Sequence, residues 1–519
     1  MSEWRKVGAL AAPITLAEIV GVAVPQVVVG LMSAMGAEAL YVRSLFAPVL
    51  FVFLAVQAGV GVSAQVAAAR LAGGPPGGQE GRETGPVAGP WGIAVSMARV
   101  GVAASAVAAV ALALAAPLLA DALSVRPSVR GDFEWFVRWV CLASLASVGP
   151  VVCSSVLRGA GRARASVLVL LGSATAEVAG VAVLGLPGAV GWGMWSVPCA
   201  VAGSGLLGTA VGLAVMRRAG LTPGRSRRGT RPPRPEVRGL VTQVGGPVAA
   251  SFLVIFVSSS VMTWVASGYG STVVSGFAVA YTMQTMVIVP GIAIGSATAI
   301  TVNHYRGQGR EDRAEPVVRA GLGLAAVVYV VLAAGCWLGR DSLAGLVTGD
   351  PAVAHQAERY LGLVAPTYLV MGVVLAALTA LEQIGGGPLA ATLNVVYFAG
   401  TCAVGAVWAR QAGQIVDLYR TVAVANILGV AVVPVALGFV RRARAASTAA
   451  APPPGAEPAT GFRAAEPAAP SPAAAGPAAA PPRRAEDGSA VAPAPEPLLH
   501  AEGVRPGRAA TAFRSEGDD

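Results

Sequence analysis

The chain has 519 residues, of which 55% are hydrophobic and 12% charged, with a mean hydropathy of +0.66. Ordinary soluble domains carry roughly 25% charged residues, so the composition excludes a water-soluble enzyme of the usual kind. The net charge of +10 is no nucleic-acid signature either: residues 441–519 hold 9 arginines and 9 acids, and the basic excess before them is spread between apolar blocks.

In chain order, mostly apolar blocks of about 20 residues, the length that crosses a bilayer, occupy residues 9–32, 45–69, 100–120, 136–157, 165–186 and 192–216. After an arginine-rich interruption, six more occupy 240–266, 275–302, 317–338, 360–381, 389–409 and 421–440. The first block is longer than a signal-peptide core of about 7 to 15 residues and reads as an uncleaved span. Prolines inside the blocks (Pro13, Pro25, Pro48, Pro150, Pro247, Pro290, Pro366) suit membrane helices. Beyond them the chain is alanine, proline and scattered charge, too poor in large apolar residues to offset its ordering entropy. The expected organisation is an N-terminal six-helix lobe over 1–216, a cytoplasmic arginine-rich linker over 217–239, a C-terminal six-helix lobe over 240–440 and a disordered tail over 441–519.

Cytoplasmic loops of membrane proteins are rich in arginine and lysine. With the N-terminus inside, the inner loops collect Arg5, Lys6, Arg70, Arg158, Arg162, Arg164, the eight arginines from Arg217 to Arg238, and Arg306, Arg310 and Arg313, among others. The outer loops hold Arg43, Arg126, Arg130, Arg138, Arg340, Arg359, Arg410 and Arg420. Both termini are therefore expected in the cytoplasm. The halves also match each other. A shift of 234 positions superposes Pro13 on Pro247, Gly36 on Gly270, Gly61 on Gly295 and Gly73 on Gly307. Past the Gly/Pro-rich loop near residues 73–90 the shift falls to 224, pairing Pro127 with Pro351, Leu157 with Leu381 and Gly161 with Gly385. An even number of spans per repeat makes the two lobes parallel, related by an axis along the membrane normal.

Acids inside a bilayer are costly and therefore functional candidates. Glu177 lies near the middle of the fifth block with Ser173 one turn earlier on the same face; it either exchanges a proton as a cavity opens to alternate sides or hydrogen-bonds a neighbouring helix. Glu18, in the first block beside Thr15 and Gly21, is either a second cavity acid or a helix-to-helix contact. Glu382 closes the tenth block before Gly385, Gly386, Gly387 and Pro388 and reads as a solvated interface acid. Gln26, Gln57 and Gln284 are candidates to line a substrate cleft, while Gln65, Gln243, Asn303 and Asn394 read equally as interhelical hydrogen-bonding groups. The five cysteines and three histidines show neither CxxC spacing nor a shared cluster, and no GK[ST] accompanies the glycine run, so no metal site, no bound cofactor and no nucleotide hydrolysis is expected. An intramembrane enzyme would need an acid paired with a histidine or a metal-binding set, which the sequence lacks.

Twelve spans in two parallel sixes with a basic linker point to an ion-driven secondary transporter. The segments Ala11-Ala12-Pro13, Gly30 to Leu40, and Gly59-Val60-Gly61-Val62-Ser63-Ala64-Gln65, together with Leu157-Arg158-Gly159-Ala160-Gly161 and Tyr305-Arg306-Gly307-Gln308-Gly309, resemble the MATE (multidrug and toxic compound extrusion) family over roughly residues 7–440. The resemblance implies an all-α integral membrane protein, with twelve transmembrane helices in two parallel six-helix lobes around a central cleft. It also implies a bacterial plasma-membrane antiporter that exports cationic or amphiphilic compounds against H+ or Na+ entry. Within the DinF-like bacterial branch, Ser173 and Glu177 look like counterparts of an asparagine and aspartate in the fifth span, whereas the usual first-span aspartate falls on Val28, which cannot bind a cation. The seventh span has no match for the second-lobe acids of sodium-coupled relatives. The alternative is a flippase for a lipid-linked glycan or amphiphile from the same superfamily, whose cationic cavity has no evident mid-membrane arginine here. The expected partners are a small-molecule substrate and the lipid bilayer, with no nucleic acid and no obligate protein partner.

Overall fold

A computed structural model of the chain describes residues 2–74, 89–222 and 234–450. The middle of the expected linker and the tail beyond residue 450 lie outside the described residues. Helices form nearly all of the rest. The first lobe comprises α1 (Glu3–Met35), α2 (Ala37–Ala72), α3 (Pro90–Leu114), α4 (Pro127–Gly159), α5 (Ala163–Gly185) and α6 (Gly193–Arg218). The second comprises α7 (Glu236–Ser267), α8 (Ser271–Gly307), α9 (Glu311–Leu338), α10 (351–381), α11 (387–412) and α12 (Ile415–Ala445). The last two helices of the stretch Pro351–Ala412 are separated by a π turn at Glu382–Gly386 in which Gly385 has φ 112°. That break turns one long apolar stretch into two spans and brings the total among the described residues to twelve.

The helices overrun the predicted blocks. α2 has 36 residues, about 54 Å at 1.5 Å per residue, against a hydrocarbon core of about 30 Å. Hydropathy marks only the part that lipid must cover, while backbone hydrogen bonding carries the helix into the interface. Two expectations change as a result. Arg43, read as an outer-loop residue, lies in the second turn of α2 and is 7% exposed. The segment after residue 440 does not leave the fold at once, because the last helix continues from Val432 to Ala450.

The internal repeat has structural content. Gly36 and Gly270, paired by the 234 shift, both take positive φ (131° and 106°) where α1 turns into α2 and α7 into α8. Gly161 and Gly385, paired by the 224 shift, do the same (76° and 112°) at the α4–α5 and α10–α11 corners. An L side chain is strained in that region and glycine is not. Gly61 packs against Val151 and Ser155 of α4, and Gly295 packs against Ala376 and Thr379 of α10. The short helices Ala116–Ala122 and Arg340–Val347 also stand in register.

The cores show where the lobes meet. One cluster belongs to the first lobe alone, with Val28, Phe46, Phe133 and Phe136, and two to the second alone, one with Phe277, Tyr360, Tyr368 and Tyr419 and one with Val374, Leu378, Leu381 and Val432. Two others cross between lobes. Val7, Ala11 and Ile14 of α1 pack with Ala293, Ala297 and Ile300 of α8, and Val60 and Ala64 of α2 share a core with Val244 and Val248 of α7. All the crossing residues lie toward the ends of α1, α2, α7 and α8 on the face that carries the N-terminus. Small residues permit this approach: a side chain on Gly59 would collide with the Gly245 backbone, and one on Gly307 with the Arg70 carbonyl. The lobes are thus joined by shared cores on the N-terminal face, whereas farther along α2 and α7 each lobe keeps a core of its own and the stacked rings of Phe51 and Phe256, 4.1 Å between centroids, meet across them.

Candidate ion-coupling site and interlobe contact

In the first lobe, Glu177 is half-buried on α5 and lies within reach of the Ser204 hydroxyl of α6. Ser173, one turn earlier, donates to the Ser204 carbonyl at 3.2 Å. Gly208, one turn after Ser204, leaves room for Ser173, since a Cβ there would collide with it. Ser173 thus fixes the α5–α6 seam, and Glu177 hangs from it. The cation facing Glu177 is Arg43 of α2, which interacts with the carboxyl electrostatically without a direct salt bridge. Arg43 went unnoticed in the sequence because its position was counted as loop. The signal that could have found it is the apolar stretch on both sides of it, which keeps α2 helical.

Glu18 does not join Glu177. It accepts a 2.6 Å charge-assisted hydrogen bond from Nη1 of Arg158 at the end of α4. Arg158 is one residue from the end of its helix, whereas Glu18 is fifteen residues into α1. α1 must therefore begin well beyond the α4–α5 corner, which places Glu18 near that corner and not at the depth of Glu177. Arg158 is the more enclosed partner, with its Nε buried and unpaired. The pair braces α1 against α4.

The three glutamines expected in a cleft are not gathered into one lining. Gln26 is exposed on α1 and Gln57 is half-buried on α2. Gln284 of α8 lies inside the second lobe, where it accepts a hydrogen bond from Tyr360 and lines a pocket with Ser258, Tyr281, Tyr397, Thr401 and Asn426. Tyr397 and Thr401 stand at the repeat positions of Ser173 and Glu177. Where the first lobe places an acid, the second therefore presents neutral hydroxyls and amides.

Two polar groupings stand at the α10–α11 corner, one across the join and one within the second lobe. Gln65 of α2 donates to Ser296 of α8 at 2.7 Å and to Gln383 at 2.9 Å, so one side chain ties the first lobe to two elements of the second. Asn303 of α8 donates to the Gln383 carbonyl at 3.1 Å and accepts from Arg70 of α2 at 3.3 Å. Arg306 donates to the Ile384 carbonyl, and His304 contacts the Gly159 carbonyl at 2.7 Å. Farther out, the Tyr305 hydroxyl donates to Glu3 at 3.0 Å and meets Lys6 at 2.5 Å.

The second grouping corrects an expectation. Glu382 is no solvated interface acid: it is 6% exposed, and its Oε1 accepts from Ser251 of α7 at 2.5 Å and from Asn394 of α11 at 3.1 Å. The α10–α11 corner folds under α7, which encloses a residue that linear reading places at a span end. Glu382 occupies the repeat position of Arg158, and that reversal of charge between matched corners is the signal the sequence offered.

The comparisons with known proteins agree with this architecture. The MatE family pattern matches residues 247–408, most of the second lobe. Over 133 residues the chain is 27% identical to "Probable multidrug resistance protein NorM" of Aromatoleum aromaticum (strain DSM 19018 / LMG 30748 / EbN1), a match covering 26% of this chain and 28% of that relative. The chain thus spans little more than a quarter of the length of the curated relative it matches. Among solved structures, the Vibrio cholerae MATE transporter VcmN in the bent form superposes with a TM-score of 0.74 at 15% identity, covering 85% of this chain and 97% of that one. A MOP superfamily transporter from Pyrococcus furiosus, described as having a binding pocket of reverse polarity, superposes with a TM-score of 0.72 at 17% identity, covering 85% of this chain and 97% of that one. At such identities the superpositions establish the shared fold.

Proposed function

We propose that this chain, which belongs to the MATE family of membrane transporters, is a proton-coupled antiporter of the bacterial plasma membrane that exports cationic or amphiphilic small molecules by alternating access. The arginine distribution supports placing the N-terminal face in the cytoplasm. On that assignment the joined face is the cytoplasmic one.

The observation that carries the coupling is Glu177, a half-buried carboxyl suspended from the α5–α6 seam and faced by Arg43. A carboxyl in that setting has two states with different environments. Ionised, it is balanced by Arg43; protonated, it releases Arg43 and removes the charge that attracts a cationic substrate. Proton and substrate then favour opposite orientations of the cleft, which exchange requires, because a ligand that binds both states equally shifts nothing.

The test is ethidium accumulation in inverted membrane vesicles under an imposed pH gradient, comparing the unsubstituted protein with Glu177→Gln. Gradient-driven uptake is expected in the former and is expected to fall at least tenfold in the latter. Equal uptake by both sinks Glu177 as the coupling acid, and uptake that follows a sodium gradient at fixed pH replaces the proton with sodium.

Arg43 also favours a second reading. A buried arginine in the first lobe supplies the cationic group that a flippase for an anionic amphiphile needs. Failure of ethidium transport together with translocation of a fluorescent phospholipid in reconstituted vesicles selects that reading.

A further inference from the structure

The second lobe holds a buried acid that the proposed transport cycle does not use. Glu382 sits in the π turn between α10 and α11, between Ser251 and Asn394, and Asn394 also donates to Ser251 at 3.0 Å. Both hydrogen bonds fall on Oε1, so Oε2 accepts none among the described residues. Among the described residues, the cations at the adjoining interlobe contact are engaged elsewhere. Arg306 of α8 is spent on the Ile384 carbonyl, Arg70 of α2 reaches Asn303, and His304 of α8 turns to the Gly159 carbonyl. The π turn inside α7, Val241–Gly245, carries no charged residue, and α7 and α11 bring Ser251 and Asn394 to the carboxyl. A carboxylate enclosed without a cation is costly, whereas a carboxylic acid there needs only the hydrogen bonds already present.

The next two residues in the chain are the interlobe contact itself. Gln383 bonds Gln65 through its side chain and Asn303 through its carbonyl, and the Ile384 carbonyl receives Arg306. Gly385, at φ 112°, then turns the chain into α11. Whatever moves Glu382 moves this contact, because no residue intervenes.

We propose that Glu382, Ser251 and Asn394 form a proton-binding site in the second lobe, separate from Glu177, whose occupancy holds the α10–α11 corner in the shape that joins the lobes on the N-terminal face. With the proton bound, the corner stays folded under α7 and Gln383 reaches Gln65. When the proton leaves, the carboxylate draws in water or one of the arginines, the corner shifts, and the contact with α2 is released. A proton fits this site better than a metal cation, since Asn394 presents its NH2 group and not its oxygen to Glu382.

The experiment reads conformation and so stands apart from the transport assay. Spin labels are placed on Arg162→Cys, beside the α4–α5 corner, and Gln308→Cys, after α8, in a protein whose five native cysteines are replaced, and their separation is measured by double electron–electron resonance between pH 5 and pH 9. Without further substitution, the short-distance population is expected to dominate at low pH and to give way to a longer one as pH rises. Glu382→Gln keeps the donors engaged without a titratable group and is expected to hold the short distance throughout, while Glu177→Gln retains the pH response. Ser251→Ala, which removes one donor, is expected to alter the midpoint of the response. The proposal is overturned if Glu382→Gln follows pH as the unsubstituted protein does, if the unsubstituted protein shows no pH response, or if sodium at fixed pH produces the change. Loss of the response in Glu177→Gln alone would assign it to the first-lobe acid instead.

Discussion

Gln65 of α2 and Gln383 at the α10–α11 corner meet across the two lobes in a 2.9 Å hydrogen bond, 318 positions apart in the chain. The same Gln65 amide nitrogen donates to Ser296 at 2.7 Å. This side chain is 2% exposed, so neither water nor lipid headgroups can replace its partners.

Replacing Gln65 with alanine is therefore expected to weaken the joined state by about 1 kcal/mol, in the range measured for hydrogen bonds between membrane helices. The check is a spin-label or crosslinking measurement across the N-terminal face, where the separated population should rise several-fold. A population unchanged by Gln65→Ala would show that apolar packing alone closes this face.

The Glu18–Arg158 pair predicts an asymmetry. Arg158 has 13% of its side chain exposed and Glu18 has 41%. Losing Glu18 strands an enclosed guanidinium, whereas losing Arg158 leaves an acid that water can reach. Thermal unfolding in detergent should show Glu18→Gln to be more destabilising than Arg158→Gln, and the double variant should recover part of the difference. Equal single-variant effects would argue against the pair as a brace.

Tyr329 of α9 bonds the α8 backbone around Pro290, where proline removes a helical donor. Its hydroxyl accepts from the Gly291 amide at 2.9 Å and donates to the Val287 carbonyl, and Gly372 of α10 gives its ring space. Tyr329→Phe keeps the ring and strands two backbone groups in a buried site. A loss of about 1–3 kcal/mol is expected, read as a lower unfolding temperature with the lobes otherwise unchanged. No change in that temperature would mean that the α8 backbone at Val287 and Gly291 finds partners without the tyrosine hydroxyl.

Gly73 and Gly307, paired by the internal repeat, lie against each other where α2 and α8 end. A side chain on Gly307 meets the Arg70 carbonyl and Gly73, and one on Gly73 meets the His304 backbone. Gly307→Val should push the helix ends apart at a cost of about 1–3 kcal/mol in the joined state. Cysteines placed near these ends should then label faster with a water-soluble maleimide. Unaltered labelling would contradict the close approach.

Much of the fold was legible because the bilayer imposes it. Apolar blocks had to be helices, since no other open structure satisfies its backbone in lipid, and the paired glycines and the ten-residue change in repeat offset could be read in advance, although that the glycines turn the chain at helix corners came from the structure. The acids were legible only in part. Glu177 and Ser173 share a helix face, which spacing reveals. The partners of Glu18 and Glu382 come from helices that are distant in sequence, and Arg43 was misplaced because hydropathy ends before the helix does.

The sequence by itself determined the number of spans, their repeat and the basic face, because each rests on composition or on spacing within one segment. Only the tertiary structure decided which acid meets a cation, which is held by neutral donors, and which face of the molecule is closed. Those outcomes depend on how helices from two lobes approach one another. A charge is stabilised or stranded by what lies within a few ångströms of it, and across this chain the residues within that distance are often more than a hundred positions away.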